Sequence, residues 1–595
     1  MTSLAGKWVA RTATAFAAIV LILAIYFYPF LKTRAELGPT ILPPMSAPDL
    51  PMYLNLSRAQ AVNEGRILDP YYGLEVPSNG TGYLKFRLAT SLFSALNSIL
   101  GQKMWLALFV WNLCWWGLAC VAALWLFRRY LPMPDPGLVV LGIGLLMLIP
   151  FGMARPLFSA WLHLPSVSGF QNVGLPYMRA FSPQISIPLL LGYLGLQMGV
   201  LQQRGPLPWI AMGGLQFFAL TTFPYATLMM AGLTAVSALW QVFIARQPGA
   251  WRAVVAYGAG CAIADVTFLK YGSLSFYASP TSALHFQPQL VSHLVGGAWI
   301  LLALLTAVAL LNKTLPPQVK WPLVGFGATN LLFMLGDAVV PATTLLLSQH
   351  SAYFMPASTA LLVIFLISAA LTRVQDQTRT IRSGVYVAFG LVAINGMLLA
   401  AGTYRAFLPA NREQVALARL FSLWQPAEGD LVIARAQDVD DACGWVPLLS
   451  RQPVLFCPDA EVMLTPQQNR DIHRFRQALY LYFTGRNSHD LEQAIASPQP
   501  EKIMYQLGYW AESVSFSQEE RNQGIHAIKV DLIPLLTRVE NRDHEMGRFF
   551  QQFRRIVVID DLQHRTFVPE QLGSFLKTDE ERRIGNLLLR FCSPE

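Results

Sequence analysis

Acidic residues are scarce in the first two-thirds of this sequence. Residues 1–407 hold nine of them: Glu36, Asp49, Glu64, Asp69, Glu75, Asp135, Asp265, Asp337 and Asp376. Charge of either sign makes up only 13% of the 595 residues, against roughly 25% in a soluble domain. That excludes an ordinary soluble chain. With 54% hydrophobic residues gathered in repeated long runs, the composition points to a polytopic α-helical membrane protein. Cysteine is sparse too, at six residues, and no CxxC or Cys/His zinc spacing occurs. No P-loop, GxGxxG, HExxH or GxSxG stretch is present, which argues against an ATP-driven pump.

What charge there is lies unevenly. Residues 1–407 carry 23 Lys/Arg against 9 Asp/Glu, whereas residues 408–595 carry 21 against 26. The first part reads as a transmembrane domain that includes a long loop at 32–103. The second reads as a soluble domain large enough for its own core. Basic loops beside anionic lipid account for the positive balance better than nucleic-acid binding does.

A bilayer-crossing helix needs roughly 20 apolar residues. Candidate spans are 9–31, 104–127, 138–154, 183–202, 206–222, 224–244, 252–269, 290–312, 321–347, 353–371 and 384–405, about 11 in all, with Pro224 the main break within 206–244. The segment 86–101 is too polar and amphipathic for a span and suits the membrane interface. Placing the N-terminus inside puts Arg128, Arg129, Arg204, Arg246, Arg252, Lys313, Lys320, Arg373, Arg379 and Arg382 in inner loops, as the positive-inside rule requires. Loop 32–103 and domain 408–595 then share the outer face, which in a bacterial inner membrane is the periplasm. The first helix reads as an uncleaved anchor.

The soluble part reads as mixed α/β, with strands at 430–434, 453–456 and 555–560 and helices at 412–424, 467–484 and 568–576. Cys443 and Cys457 bracket 443-CGWVPLLSRQPVLFC-457. In an oxidising compartment they form either a disulfide or two free thiols, and spacing alone does not choose. The run 438-DVDD-441 has the look of a metal-binding Asp-x-Asp, but no nucleotide fold follows it.

Topology gathers most of the scarce acids at the outer face. The histidines of the membrane part (His163, His285, His293 and His350) map there too. A carboxylate near lipid is costly and ordinarily faces a cavity or a partner. Asp265 and Asp337, near outer helix ends, are partners for Lys270 or Arg179, or else act directly. Loop 32–103 is too long for mere connection. Within it, 54-LNLSRAQAVNEGRI-67 has helical spacing with Gly65 as a stop. Asp49 precedes that helix, where Asp also serves as a cap. Glu64 suits a solvated helix face, and Asp69, before Pro70, a turn.

An apolar first helix, then Asp49 and Tyr53, then an Ala-containing helix ending 64-EGRILDP-70 together resemble the polytopic GT-C glycosyltransferases. That class includes the protein O-mannosyltransferases and the transferases that add aminoarabinose to lipid A. The stretch 177-YMRAFSPQISIPLLLGYLGL-196 also resembles bacterial members, as do 443-CGWVPLLSRQPVLF-456 and 474-RFRQALYLYFTGR-486. Members keep an acid in the first outer loop, where this chain has Asp49. A paired acidic motif in the second outer loop is missing, since loop 155–182 holds no acid, a departure from metal-dependent and protein-glycosylating members. The resemblance implies sugar transfer from a polyprenyl-phosphate-linked donor to a glycan, lipid or protein acceptor, with membrane lipids around it and no nucleic acid.

The implied chemistry needs a base for the acceptor hydroxyl and a cation for the departing phosphate. Asp49 is the candidate base. Arg179 leads the phosphate candidates, because a guanidinium holds two phosphate oxygens at once. Arg58, Arg66, Lys270 and His350 come after it, and Asp69, Glu64, Asp337 and Asp265 are secondary acids. The sequence fixes no cofactor and leaves a divalent metal open. A lipid-linked saccharide flippase and a non-catalytic member of an envelope polysaccharide complex are the competing readings. Against the flippase, no inverted repeat of broken helices is visible.

Overall fold

The protein is represented by a computed structural model. It describes residues 4–38, 50, 53–55, 57–58, 67–68, 75–76, 87–149, 175–178, 180–181, 184–199, 207–222, 224–243, 246, 251–252, 254–260, 262, 297–339, 353–373, 378–436, 442–457, 470–500, 503–504, 507, 518–542, 544–561 and 566–595.

The first part is helical. In chain order come α1 (Leu4–Leu37), the short paired strands β1 (Ile67–Leu68) and β2 (Glu75–Val76), α2 (Arg87–Ile99), α3 (Met104–Tyr130), α4 (Pro136–Leu148), α5 (Ser186–Gly199), α6 (Leu207–Thr222) and α7 (Pro224–Leu233). A π-helical turn, Thr234–Leu239, continues α7. Then follow α8 (Gly297–Leu311), α9 (Pro317–Val339), α10 (Met355–Leu371) and α11 (Thr378–Trp424). Among the described residues three stretches are long and apolar enough to cross a membrane: Thr12–Leu37, Met104–Tyr130 and Ser383–Arg405. Shorter apolar helices, such as Pro136–Leu148, Ser186–Gly199 and Met355–Leu371, pack among them. Helices suit this setting because each backbone N–H and C=O is satisfied within its own segment.

Local sequence explains the ends of these helices. Pro136 opens α4 without losing a needed donor, and the Asp135 carboxylate accepts from the Gly137 N–H at 2.9 Å. The helix α6 stops at Thr222 and α7 starts on Pro224, the break expected there. Packing relies on small residues. A Cβ at Gly195 would sit 2.2 Å from the Trp125 ring, where α3 and α5 cross, so a larger side chain here would have to push that ring aside. The amphipathic segment 86–101 becomes α2, which buries Ala89, Thr90 and Phe93.

The second part follows α11 directly, since that helix runs on to Trp424. It comprises β3 (Asp430–Ala434), α12 (Ala442–Ser450), α13 (Arg470–Phe483), α14 (Ser488–Ala496), α15 (Gln518–Ala527), α16 (Ile533–Glu540), α17 (His544–Gln551), β4 (Arg555–Asp561), β5 (Leu576–Ile584) and β6 (Leu587–Pro594). The sheet order is β3-β4-β6-β5, parallel between β3 and β4 and antiparallel elsewhere. A parallel pair needs a long crossover, and the helices α12 to α17 supply it. The buried runs Leu431–Ala434 and Ile556–Ile559 form the sheet's core. Asp430, fully buried, pairs with Arg555 at 2.7 Å. Arg555 also lies over the Trp424 ring at 5.5 Å, and Trp424 meets the Phe591 ring at 6.2 Å. The end of α11 is thereby fastened to the sheet.

Several expectations need correction. The first helix runs to Leu37 rather than 31, carrying Glu36 within it. Helix α4 ends at Leu148, because Ile149 is already extended. Beyond Gly65, the expected stop of the loop helix, Ile67 pairs with Val76 in β1 and β2; residues 59–66 lie outside the described residues. At 453–456 only Val454 bridges, to Val432, because Pro453 lacks an N–H for a ladder. The expected helix 568–576 shrinks to the single turn Pro569–Leu572, and Leu576 already opens β5. Strands β5 and β6 were not expected at all. The exposed run 577-KTDEERR-583 carries too much charge to read as a strand, but charge is what protects an exposed edge from pairing with another chain.

Candidate functional site

The feature that unites the two parts is a short stretch of the first long loop. Leu50, Tyr53, Leu54, Asn55 and Ser57 are all buried, and residues 53–55 and 57–58 are helical. Burial of Leu50, Tyr53 and Leu54 drives the docking. Polar contacts set its register. The Asn55 amide donates from Nδ2 to the Gly444 carbonyl at 3.0 Å. Arg58 Nη1 donates to the Pro447 and Leu448 carbonyls, both at 3.0 Å.

Those carbonyls belong to the last turn of α12, at the negative end of the helix dipole. The Pro447 carbonyl also accepts from the Arg451 N–H at 3.1 Å, and the Arg58 guanidinium adds a cation at that end. Burial, with a smaller contribution from the nearby Arg451 charge, lowers the Arg58 pKa to about 10. Arg58 thus acts as a structural bolt between the loop and the C-terminal part.

On its other side the stretch meets the segment before α5. The Tyr53 ring stacks on Phe181, centroids 5.0 Å apart at 26°. Phe181 also contacts Phe93 of α2 and Trp111 of α3, each at 5.3 Å. Backbones at Tyr177 and Phe181 take positive φ, 64° and 47°, a conformation that costs non-glycine residues energy and collects at functional sites. The Tyr177 carbonyl accepts from Trp116 Nε1 at 3.1 Å. The Tyr26 hydroxyl of α1 lies 2.6 Å from the Met147 carbonyl and 2.5 Å from that of Pro176. Leu175 N–H donates to Thr403 Oγ1 of α11 at 3.3 Å.

Buried polar atoms cluster nearby. The Gln184 amide donates from Nε2 to Asn112 Oδ1 at 2.7 Å. Among the described residues, Trp111 Nε1, Gln184 Oε1, Ser186 Oγ and the Tyr177 hydroxyl find no hydrogen-bond partner. Buried polar atoms normally do. The end of α1 is held at the same side: Arg34 lies 3.8 Å over the Trp105 ring at the start of α3, and Glu36 accepts from the Tyr404 hydroxyl of α11.

Of the residues expected from the sequence to form the site, Asp49, Glu64, Arg66, Asp69, Arg179, Asp265, Lys270 and His350 lie outside the described residues, as does the run 438–441. Asp337 falls within α9. Arg58 is described in full, as above. The structure does bring together the sequence neighbours of the two leading candidates: Leu50 and Tyr53 follow Asp49, and Phe181 follows Arg179. Sequence reasoning passed over Asn55, Trp111, Asn112 and Ser186. Asn112 had a legible signal, an amide within a strongly apolar run.

No family model matches the chain, and neither does any curated protein. A solved structure is similar to this chain over nearly its whole length. That structure is the crystal structure of ArnT from Cupriavidus metallidurans bound to undecaprenyl phosphate, with 12% identity, a TM-score of 0.40, and coverage of 99% of this chain and 98% of that chain. So low a TM-score describes the general run of the two chains and assigns no residue.

Proposed function

We propose that this chain is a GT-C-type membrane glycosyltransferase that moves a sugar from a polyprenyl-phosphate-linked donor to a glycan, lipid or protein acceptor. In this reading residues 1–407 form the membrane domain and 408–595 an outer domain. The N-terminus lies inside, about 11 helices span the bacterial inner membrane, and the C-terminal part is periplasmic. One observation carries most of the weight. The loop stretch that follows Asp49 is buried between the C-terminal part, through Asn55 and Arg58, and the Phe181 segment that follows Arg179. The described part of that loop, around Tyr53, Asn55 and Arg58, therefore joins the loop to the helical part and to the C-terminal part.

The chemistry follows from the groups. The Asp49 carboxylate takes the proton of the acceptor hydroxyl as its oxygen attacks the anomeric carbon. The bond from that carbon to the phosphate oxygen breaks on the opposite face, which inverts the configuration and releases polyprenyl phosphate. Arg179 meets the charge that grows on the leaving phosphate, with Arg66, Lys270 and His350 as further contacts. Arg58 belongs to the positioning of the loop, since its Nη1 is committed to α12.

The test is transfer in vitro from a polyprenyl-phosphate sugar by the purified full chain and by Asp49→Asn. The variant should fold, melt like the parent and lose transfer. Parental activity in Asp49→Asn sinks the assignment of the base. Reporter fusions at the C-terminus test the orientation separately.

A further inference from the structure

Two thiols of the C-terminal part face each other in its core. Cys443 sits in the first turn of α12, and Cys457 ends the stretch that runs beside β3. That stretch is held in place by backbone bonds: Val432 N–H donates to the Pro453 carbonyl at 2.9 Å and Leu455 N–H to the Val432 carbonyl at 2.8 Å. Both cysteines are buried, with relative exposures of 1% and 0%. Their Sγ atoms are 2.7 Å apart, closer than the roughly 3.5–4.0 Å at which unbonded carbons pack. The third cysteine of this part, Cys592, is on β6 beside Thr578, and burial pushes its thiol up to about 11.

We propose that Cys443 and Cys457 are joined as a disulfide in the mature protein, and that this bond fixes the shelf on which the first loop rests. The shelf is α12 itself, which offers its Gly444, Pro447 and Leu448 carbonyls to Asn55 and Arg58. The proposal rests on the outer location of the C-terminal part, where thiols are oxidised. Each thiol gives up its proton, one Sγ–Sγ bond forms, and two electrons pass to the disulfide of a thiol–disulfide oxidoreductase of that compartment, which leaves as its dithiol. One thiolate first attacks the donor's disulfide, and the second then displaces the donor. Because both sulfurs are sealed in the folded core, the exchange takes place while the domain is still folding. Cys592, remote from both in the sheet, stays reduced.

The experiment uses the full chain made in cells and extracted in the presence of N-ethylmaleimide. It is denatured without reductant and its peptides are weighed. The expected result is one linked pair, 443 with 457, lighter by two hydrogens, together with alkylated Cys592. Alkylation of both Cys443 and Cys457 overturns the bond. A membrane-impermeant maleimide applied to intact spheroplasts carrying Glu580→Cys separates the reasons. Free thiols in a domain that is labelled refute the disulfide alone, whereas an unlabelled domain refutes the outer location. In a second arm, Cys443→Ser, Cys457→Ser and the double variant should all melt lower than the parent, by the same several degrees. The parent melted in reductant should fall by that amount, and the double variant should be indifferent to reductant. A parent that melts identically with and without reductant overturns the proposal even if a serine variant fails to fold.

Discussion

The two halves of α11 show how differently the two parts of this molecule meet their surroundings. In the membrane half, Val387, Leu391, Ile394 and Leu398 are exposed by 55–64% and recur at helical spacing, while Val392, Ala393 and Asn395 on the other side are buried against the bundle. A soluble protein would not leave such a stripe bare. It is what a helix presents to hydrocarbon. Beyond Arg405 the same helix carries exposed Arg412 and Arg419 and a buried Leu417, Leu420, Phe421 and Trp424. That is the ordinary pattern of an apolar face turned to a core and a polar face turned to water. One uninterrupted helix therefore serves two solvents. The C-terminal sheet repeats the second pattern, with an apolar core and a charged edge strand, β5.

The contrast makes graded predictions. The largest effect belongs to the core of the C-terminal part: Asp430→Ala strands Arg555 beside Trp424 and removes an acceptor for the Ala427 N–H. Arg555 keeps 30% of its side chain exposed, so the stranded charge costs less than a fully buried one. The lost charge-assisted bond and the orphaned Ala427 N–H still cost together about 3–4 kcal/mol, and thermal unfolding of the C-terminal part should shift down strongly. Next comes Leu391→Arg on the lipid-facing stripe. In the membrane a central Arg costs about 2.5–3.5 kcal/mol, and reduced insertion should appear as lower yield in the membrane fraction. If Leu391→Arg instead left yield and melting untouched, the stripe would be facing water and the comparison would fail. Arg58→Ala should follow. Hydrogen bonds from a charged group are worth about 1.5–3 kcal/mol, and their loss should free the loop for protease cleavage between residues 59 and 66 before the global melt. Last is Glu580→Gln on β5. Arg582 beside it holds the Glu580 carboxyl below its usual range, but the pair is fully in water. Exposed pairs contribute little, so the melting curve should not move, and a clear shift would mean that β5 is covered.

The sequence made legible what depends on neighbours along the chain. The apolar runs that became α1, α3 and the membrane half of α11 were plain, as were the Pro224 break, the amphipathic α2, and the buried strands β3 and β4 with their Val/Ile content. Through likeness to GT-C enzymes it also marked Asp49 and Tyr53 with 64-EGRILDP-70 and, as a separate stretch, 177-YMRAFSPQISIPLLLGYLGL-196. It misread 577-KTDEERR-583, because an edge strand is free to be all charge. It gave no sign of the short pairing of Ile67 with Val76, which joins residues nine positions apart.

What the sequence by itself determined is which segments leave water and where charge is affordable, because transfer free energy is a property of each residue and its near neighbours. Tertiary structure decided the partners. Asn55 and Gly444 are 389 positions apart, Glu36 and Tyr404 368, and Gln184 and Asn112 72. Spacing along the chain carries no sign of such pairs. The same holds for Cys443 and Cys457, close in sequence yet left open by it: whether two thiols meet depends on how α12 is laid against β3. That packing is fixed by the sheet as a whole.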